Sequence, residues 1–141
     1  MDFIQLFHML RRRLLWTVVC LLVLSGSTAL AQSPRAVLET AVMCGGIENF
    51  KPVDPAVVFS ISQGEVFCFT NFDPVPEKSE IFHKWYKRDK LIFTMKLTLT
   101  PPKWSSFSRV QIRTADKGPW RVEVRRKDGV LLKTLRFSMV D

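Results

Sequence analysis

Period-two alternation over the last third of the chain sets the first limit on the fold. In WRVEVRR, Trp120, Val122 and Val124 alternate with Arg121, Glu123 and Arg125, so apolar side chains take one face of an extended segment and charged ones the other. KDGV then supplies an Asp-Gly turn, and LLKTLRFSMV follows as a return strand. Together they predict a β-hairpin. Lys133 falls on the face of Leu135, Phe137 and Met139, which calls for either a snorkelling side chain at the rim or a bulge that shifts the register.

The same reading extends upstream. LIFTMKLTL puts Leu91, Phe93, Met95, Leu97 and Leu99 on one face of a half-buried strand. VLETAVMCGGI, VVFSI, EVFCFTNF, SEIFHKWYK and SSFSRVQIRT also read as strands, separated by KPVDP, SQG, DPVPEK, RDK, TPPK and ADKGP. No segment after Ala31 sustains a helical period, although RAVLETAVM could open as one helical turn. Seven or eight short strands predict an all-β fold: a small antiparallel β-sandwich of the immunoglobulin-like kind. A chain of 141 residues supports one such core.

The N-terminus differs in kind. MDFIQLFHMLRRR ends in three arginines, LLWTVVCLLVL is an apolar run of eleven, and SGSTALAQ places small residues at Ala29 and Ala31. That order makes an export signal over residues 1–31, cleaved after Ala31, with residues 32–141 as a single domain. The alternative is an uncleaved anchor from Leu14 to Leu30, at the short end of what spans a bilayer and diluted by Ser25, Gly26, Ser27 and Thr28. Met9 could equally be the start codon, giving the shorter leader MLRRRLLWTVVCLLVLSGSTALA.

Export governs how cysteine and charge are read. Cys20 leaves with the leader, so Cys44 and Cys68 remain as one pair, which an oxidising compartment would join as a disulfide. Such a bond would stabilise the fold by about 3 to 4 kcal/mol. Two cysteines and one histidine fall short of a zinc site, so neither metal nor cofactor is expected. The exported part holds 18 Lys and Arg against 12 Asp and Glu, a formal charge of +6. No nucleic-acid partner is expected after export. The expected partners are an envelope protein or an anionic glycan, with membrane contact only if the leader stays uncleaved. With no long run of like charge, most of these cations read as solvated strand faces.

Catalytic patterning is sparse. His83 is the only histidine of the exported part, and Ser105, Ser106 and Ser108 of SSFS are the nearest motif-like hydroxyls. No spacing singles out a nucleophile. Glu80, Glu123 and Asp128 sit where strand edges or turns place ordinary surface acids. Phosphate loops and metalloprotease helices are absent from the sequence. His83 and Trp85, two apart in IFHKWYK, share one strand face. Shared burial is the simplest account, with Trp85 over an intersheet Cys44–Cys68 bond and His83 partly covered and hydrogen-bonded to backbone or a neighbouring hydroxyl.

From about Ala36 to Val140 the chain resembles a bacterial domain of unknown function numbered 2914, which often follows an export signal or membrane segment. CGGI with Cys44, CF at Cys68, HKWY with His83 and Trp85, KWSSFS with Trp104 and Ser108, and GPWRVEVRRKDGVLLKTLRF with Trp120 carry the resemblance in order. It implies a β-sandwich module without an established activity. Ser105 and Val110 stand where the family tends to carry an arginine and a lysine. The expected function is therefore a noncatalytic module of the periplasm or cell envelope that contacts a protein or glycan partner. A structural appendage of a secretion or surface complex, or more distantly a hydrolase using His83, would be the alternative.

Overall fold

The computed structural model describes residues 31–141. The leader expected over residues 1–31 lies, but for its last residue, outside them. Nine strands follow: β1 (Leu38–Glu48), β2 (Lys51–Pro55), β3 (Val58–Ser60), β4 (Glu65–Phe72), β5 (Ser79–Lys87), β6 (Lys90–Leu99), β7 (Trp104–Gln111), β8 (Gly118–Arg126) and β9 (Leu131–Val140). They form a four-stranded sheet in the order β2-β1-β4-β7 and a five-stranded sheet in the order β3-β9-β8-β5-β6.

The inward side chains of both sheets meet in one sandwich core. Met43, Val66 and Cys68 of the first sheet pack with Trp85, Trp120, Val122 and Phe137 of the second. Phe72, Ile81, Leu99 and Val124 form a second cluster together with Val75 of the β4–β5 loop. The rings interlock at defined angles. Trp85 stacks on Phe93 at 5.5 Å and meets Phe137 edge-on at 5.9 Å, while Trp120 lies over Phe137 at 6.2 Å.

The all-β expectation holds, with four corrections. The sandwich is not wholly antiparallel, because β3 runs parallel to β9, pairing Phe59 with Met139. KPVDP is a strand rather than a separator, pairing with β1 from Glu48–Lys51 to Cys44–Pro55. It lies at the edge of its sheet, where the missing N–H groups of Pro52 and Pro55 can be tolerated. Of the five apolar residues expected on one face of β6, Leu91 and Met95 are exposed: a register shift between Trp85 and Tyr86 sets Leu91 opposite Tyr86 and off that face, and Met95 lies on an edge strand. Cys44 and Cys68, finally, are free thiols.

The register explains the last point. Cys68 sits opposite Met43 and Cys44 opposite Phe67 on adjacent strands of one sheet. A one-residue offset sends neighbouring side chains to opposite faces, so Cys68 enters the core and Cys44 points away from it. The expected intersheet bond beneath Trp85 therefore lacks its geometry. Burial pushes both thiols up from their ordinary pKa.

The β8–β9 hairpin forms as expected around Gly129, whose φ of +86° suits glycine. Its register shifts between Val124 and Arg125, which face Lys133 and Leu131. The bulge leaves Leu132 to pack on the second core cluster and keeps Lys133 exposed.

Candidate functional site

His83, Trp85 and Ser108 come together inside the sandwich. His83 and Trp85 project from β5 toward β7, where Ser108 waits with 3% of its surface exposed. His83 Nδ1 lies 2.8 Å from Ser108 Oγ and Trp85 Nε1 lies 2.9 Å from the same oxygen. On the other side of the ring, His83 Nε2 lies 3.2 Å from Thr70 Oγ1, which donates to the Ser106 carbonyl at 3.3 Å.

One arrangement of hydrogens satisfies every member of this chain. The indole N–H can only donate, so it donates to Ser108 Oγ. The Ser108 hydroxyl then donates to His83 Nδ1, His83 Nε2–H donates to Thr70 Oγ1, and Thr70 donates to the Ser106 carbonyl. His83 is thereby the neutral Nε2–H tautomer. Protonating it would aim two N–H donors at Ser108 Oγ and leave the Ser108 hydroxyl without an acceptor. Desolvation pushes the His83 pKa down to about 4 in the same direction.

Chemically, this arrangement satisfies the polar groups of its own members inside the core. His83 has none of its surface exposed, and among the described residues its ring nitrogens meet Ser108 and Thr70 rather than a carboxylate. Ser108 Oγ already accepts the indole N–H. Trp120 is core as well, with its Nε1 donating to the Asp116 carbonyl at 2.7 Å. Among the described residues, no three His, Cys, Asp or Glu side chains group closely enough to hold a metal ion, and no helix is long and apolar enough to cross a membrane.

Trp104 is the one candidate on the outside. It is 40% exposed and lines a groove of about 740 Å³ on the four-stranded sheet with Phe50, Phe69, Asn71, Lys51 and Lys103. A smaller depression of about 220 Å³ shares Phe50, Phe69 and Ser105 with it and reaches Phe107, which is 42% exposed and tilts against Phe67 at 5.9 Å. Register accounts for this face: Val42 opposes Phe69, Phe69 opposes Phe107, and Asn71 opposes Ser105.

Polar side chains run through the groove in a fixed order. Ser105 Oγ donates to Asn71 Oδ1 at 2.9 Å, and Asn71 Nδ2 donates to Glu39. The register of β1 against β4 shifts between Leu38 and Thr40, so Glu39 is the extra residue of a bulge. Bulges re-aim side chains, and this one turns Glu39 onto Asn71. Lys51 and Lys103 are matched in the lining by Glu39 and Asp73, which leaves the groove without net formal charge.

Phe50 stands over this groove from the β1–β2 turn and is 79% exposed. Glu48 pairs with Lys51, so Asn49 and Phe50 form a two-residue turn with φ of 48° and 58°. A turn of this kind favours Asn-Gly, and a bulky residue with positive φ is strained.

A second cleft of about 660 Å³ opens over Phe72, Ile81 and Leu99. Several of its charges are already paired: Glu80 binds Lys96 and Lys127, and Arg126 binds Asp128. Across the outer face of the five-stranded sheet, Arg121 lies 4.0 Å over the Tyr86 ring and shares Glu123 with Arg125.

Residues 78–139 match the model of a family described as a protein of unknown function, DUF2914. The chain belongs to DUF2914 through this stretch. No curated protein matches the chain. The DUF2914 match covers β5 to β9, so His83, Trp85, Trp104, Ser108 and Trp120 lie inside it, whereas Cys44, Phe50, Cys68 and Phe69 precede it. Sequence reasoning missed Glu39, Phe50, Phe69, Asn71 and Phe107 as site residues. The available sign was EVFCFTNF, apolar on both faces where a half-buried strand needs only one, together with the single phenylalanine in SSFS.

Proposed function

We propose that the domain is a noncatalytic, exported module of the cell envelope that contacts its partner, a protein or a glycan, through the outer face of the four-stranded sheet. Phe50 carries this reading. A phenylalanine with positive φ and most of its surface in water costs stability twice, in backbone strain and in exposed apolar area. Such a residue is explained by a partner that covers it. The sealed, neutral His83 and the doubly bonded Ser108 favour a noncatalytic role.

The immunoglobulin-like reading draws support from strand order. In the five-stranded sheet, β8 lies between β9 and β5, and β6 extends beyond β5, as strands G, F, C and C′ do. Trp85 then occupies strand C and Cys68 strand B, while Val122 of β8 lies opposite Trp85 on the strand that carries the second cysteine in antibody domains.

Export rests on the leader. Mass spectrometry of the exported protein should find Gln32 at the N-terminus, and Ala31→Leu should leave the precursor membrane-bound. An intact N-terminus in mature protein would favour the anchor. The contact surface is tested by pull-down from the envelope fraction with wild type and Phe50→Ala. A recurring partner lost with Phe50→Ala supports the surface, and a partner retained undiminished overturns it.

A further inference from the structure

We infer that the occupant of the groove is an uncharged saccharide chain, an inference that rests on the groove being the contact surface. Three observations converge on this chemistry. Phe50 and Trp104, both exposed, line the groove together with Phe69, and aromatic rings of this kind suit the apolar C–H faces of sugar rings. The Glu39–Asn71–Ser105 ladder crosses three strands in the same groove, with its hydrogen-bond directions already set. The lining carries two lysines and two carboxylates, so it has no charge to offer a polyanion although the exported chain is basic.

The ladder is preorganised in a way a hydroxyl-rich ligand can use. Asn71 spends Oδ1 on Ser105 and one N–H on Glu39, leaving its second N–H as a donor. Ser105 Oγ, having donated, retains a lone pair, and Glu39 retains its other oxygen. Donors and acceptors of fixed direction therefore lie beside aromatic faces, and outward side chains along one strand recur about every 7 Å. A sugar presents both characters in each residue. A protein partner would instead favour an apolar centre with polar groups confined to the rim, whereas here Glu39, Asn71 and Ser105 share the lining with the aromatic rings.

Affinity electrophoresis of the exported protein tests this, with gels containing neutral β-glucan, neutral α-glucan, soluble N-acetylglucosamine polymer or anionic dextran sulfate. Retardation is expected on at least one neutral polymer and should survive 0.5 M salt, since stacking and neutral hydrogen bonds are weakly screened. Phe50→Ala and Trp104→Ala should each weaken it by about tenfold, and Asn71→Ala should weaken it as well. Thermal melts of each variant confirm that the fold persists. Retardation on dextran sulfate alone, abolished by salt, would overturn the inference in favour of an anionic ligand. If no neutral polymer retards the protein while Phe50→Ala still abolishes the envelope pull-down, the saccharide fails and the contact surface stands. If that pull-down is also unaffected, both fail.

Discussion

Ser108 Oγ serves two buried groups at once, accepting from the Trp85 indole and donating to His83 Nδ1. Ser108→Ala should therefore strand two partners and cost about 2 to 4 kcal/mol, more than its small volume change implies. Trp85→Ala should cost about 3 to 5 kcal/mol as a large core truncation. The histidine adds a pH dependence. In the unfolded chain His83 titrates near 6.5, while burial holds it down to about 4 in the fold. Between those values the unfolded state binds the extra proton, so stability is full above pH 6.5 and declines as pH falls toward 4. Urea unfolding should show a loss of about 2 kcal/mol from pH 7 to pH 5. Neighbouring lysines and arginines hold the carboxyls of Glu80, Glu123 and Asp128 below the usual carboxylate range, on the acid side of that window. His83→Gln should flatten the profile, and an unchanged slope would show that another group is responsible. Period two alone placed His83 and Trp85 on one face. It could not find Ser108, which is 25 residues from His83 and meets it only through sheet packing.

Short hairpins show what local sequence can and cannot specify. The Asp-Gly turn between β8 and β9 was legible because glycine answers a local backbone demand. The β1–β2 turn was not, since Asn49-Phe50 places phenylalanine where that demand points to glycine. KPVDP was hidden by its prolines, which argue against a strand unless it is known to lie at an edge, and edges are a property of the assembled sheet. These facts yield an opposed pair of effects at one position. Phe50→Gly should relieve the positive φ and raise stability by about 1 kcal/mol, because little packing is lost from an exposed ring. The same change should abolish partner binding. A denaturant midpoint that moves upward while pull-down fails would be the mark of strain retained for recognition. A midpoint that falls would show instead that Phe50 packs to hold the turn.

Across the whole molecule, the two-sheet all-β fold was readable because alternation is a per-strand property that recurs in several of the strands, whereas the disulfide depended on which strands become neighbours. Two cysteines in a chain expected to be exported suggest a bond, yet β1 and β4 pair with an offset that turns the thiols apart. Their burial then takes over from any covalent role. Cys68 fills space beside Trp85, and Cys44 is fully covered on the other side of its sheet. Both thiols have a raised pKa, Cys68 chiefly from desolvation with a smaller contribution from Cys44, so the reactive thiolate is disfavoured. Two consequences can be measured on protein taken from its native compartment. Reductant should leave the melting temperature unchanged, whereas a bond closing this loop would have contributed about 3 to 4 kcal/mol that reductant removes. Alkylation should modify neither cysteine in the folded state and both on unfolding, so its rate should follow local or global opening. If peptide mapping without reductant recovers a linked Cys44–Cys68 pair, the β1–β4 register is wrong at its centre, because that register cannot bring the two sulfurs to one face.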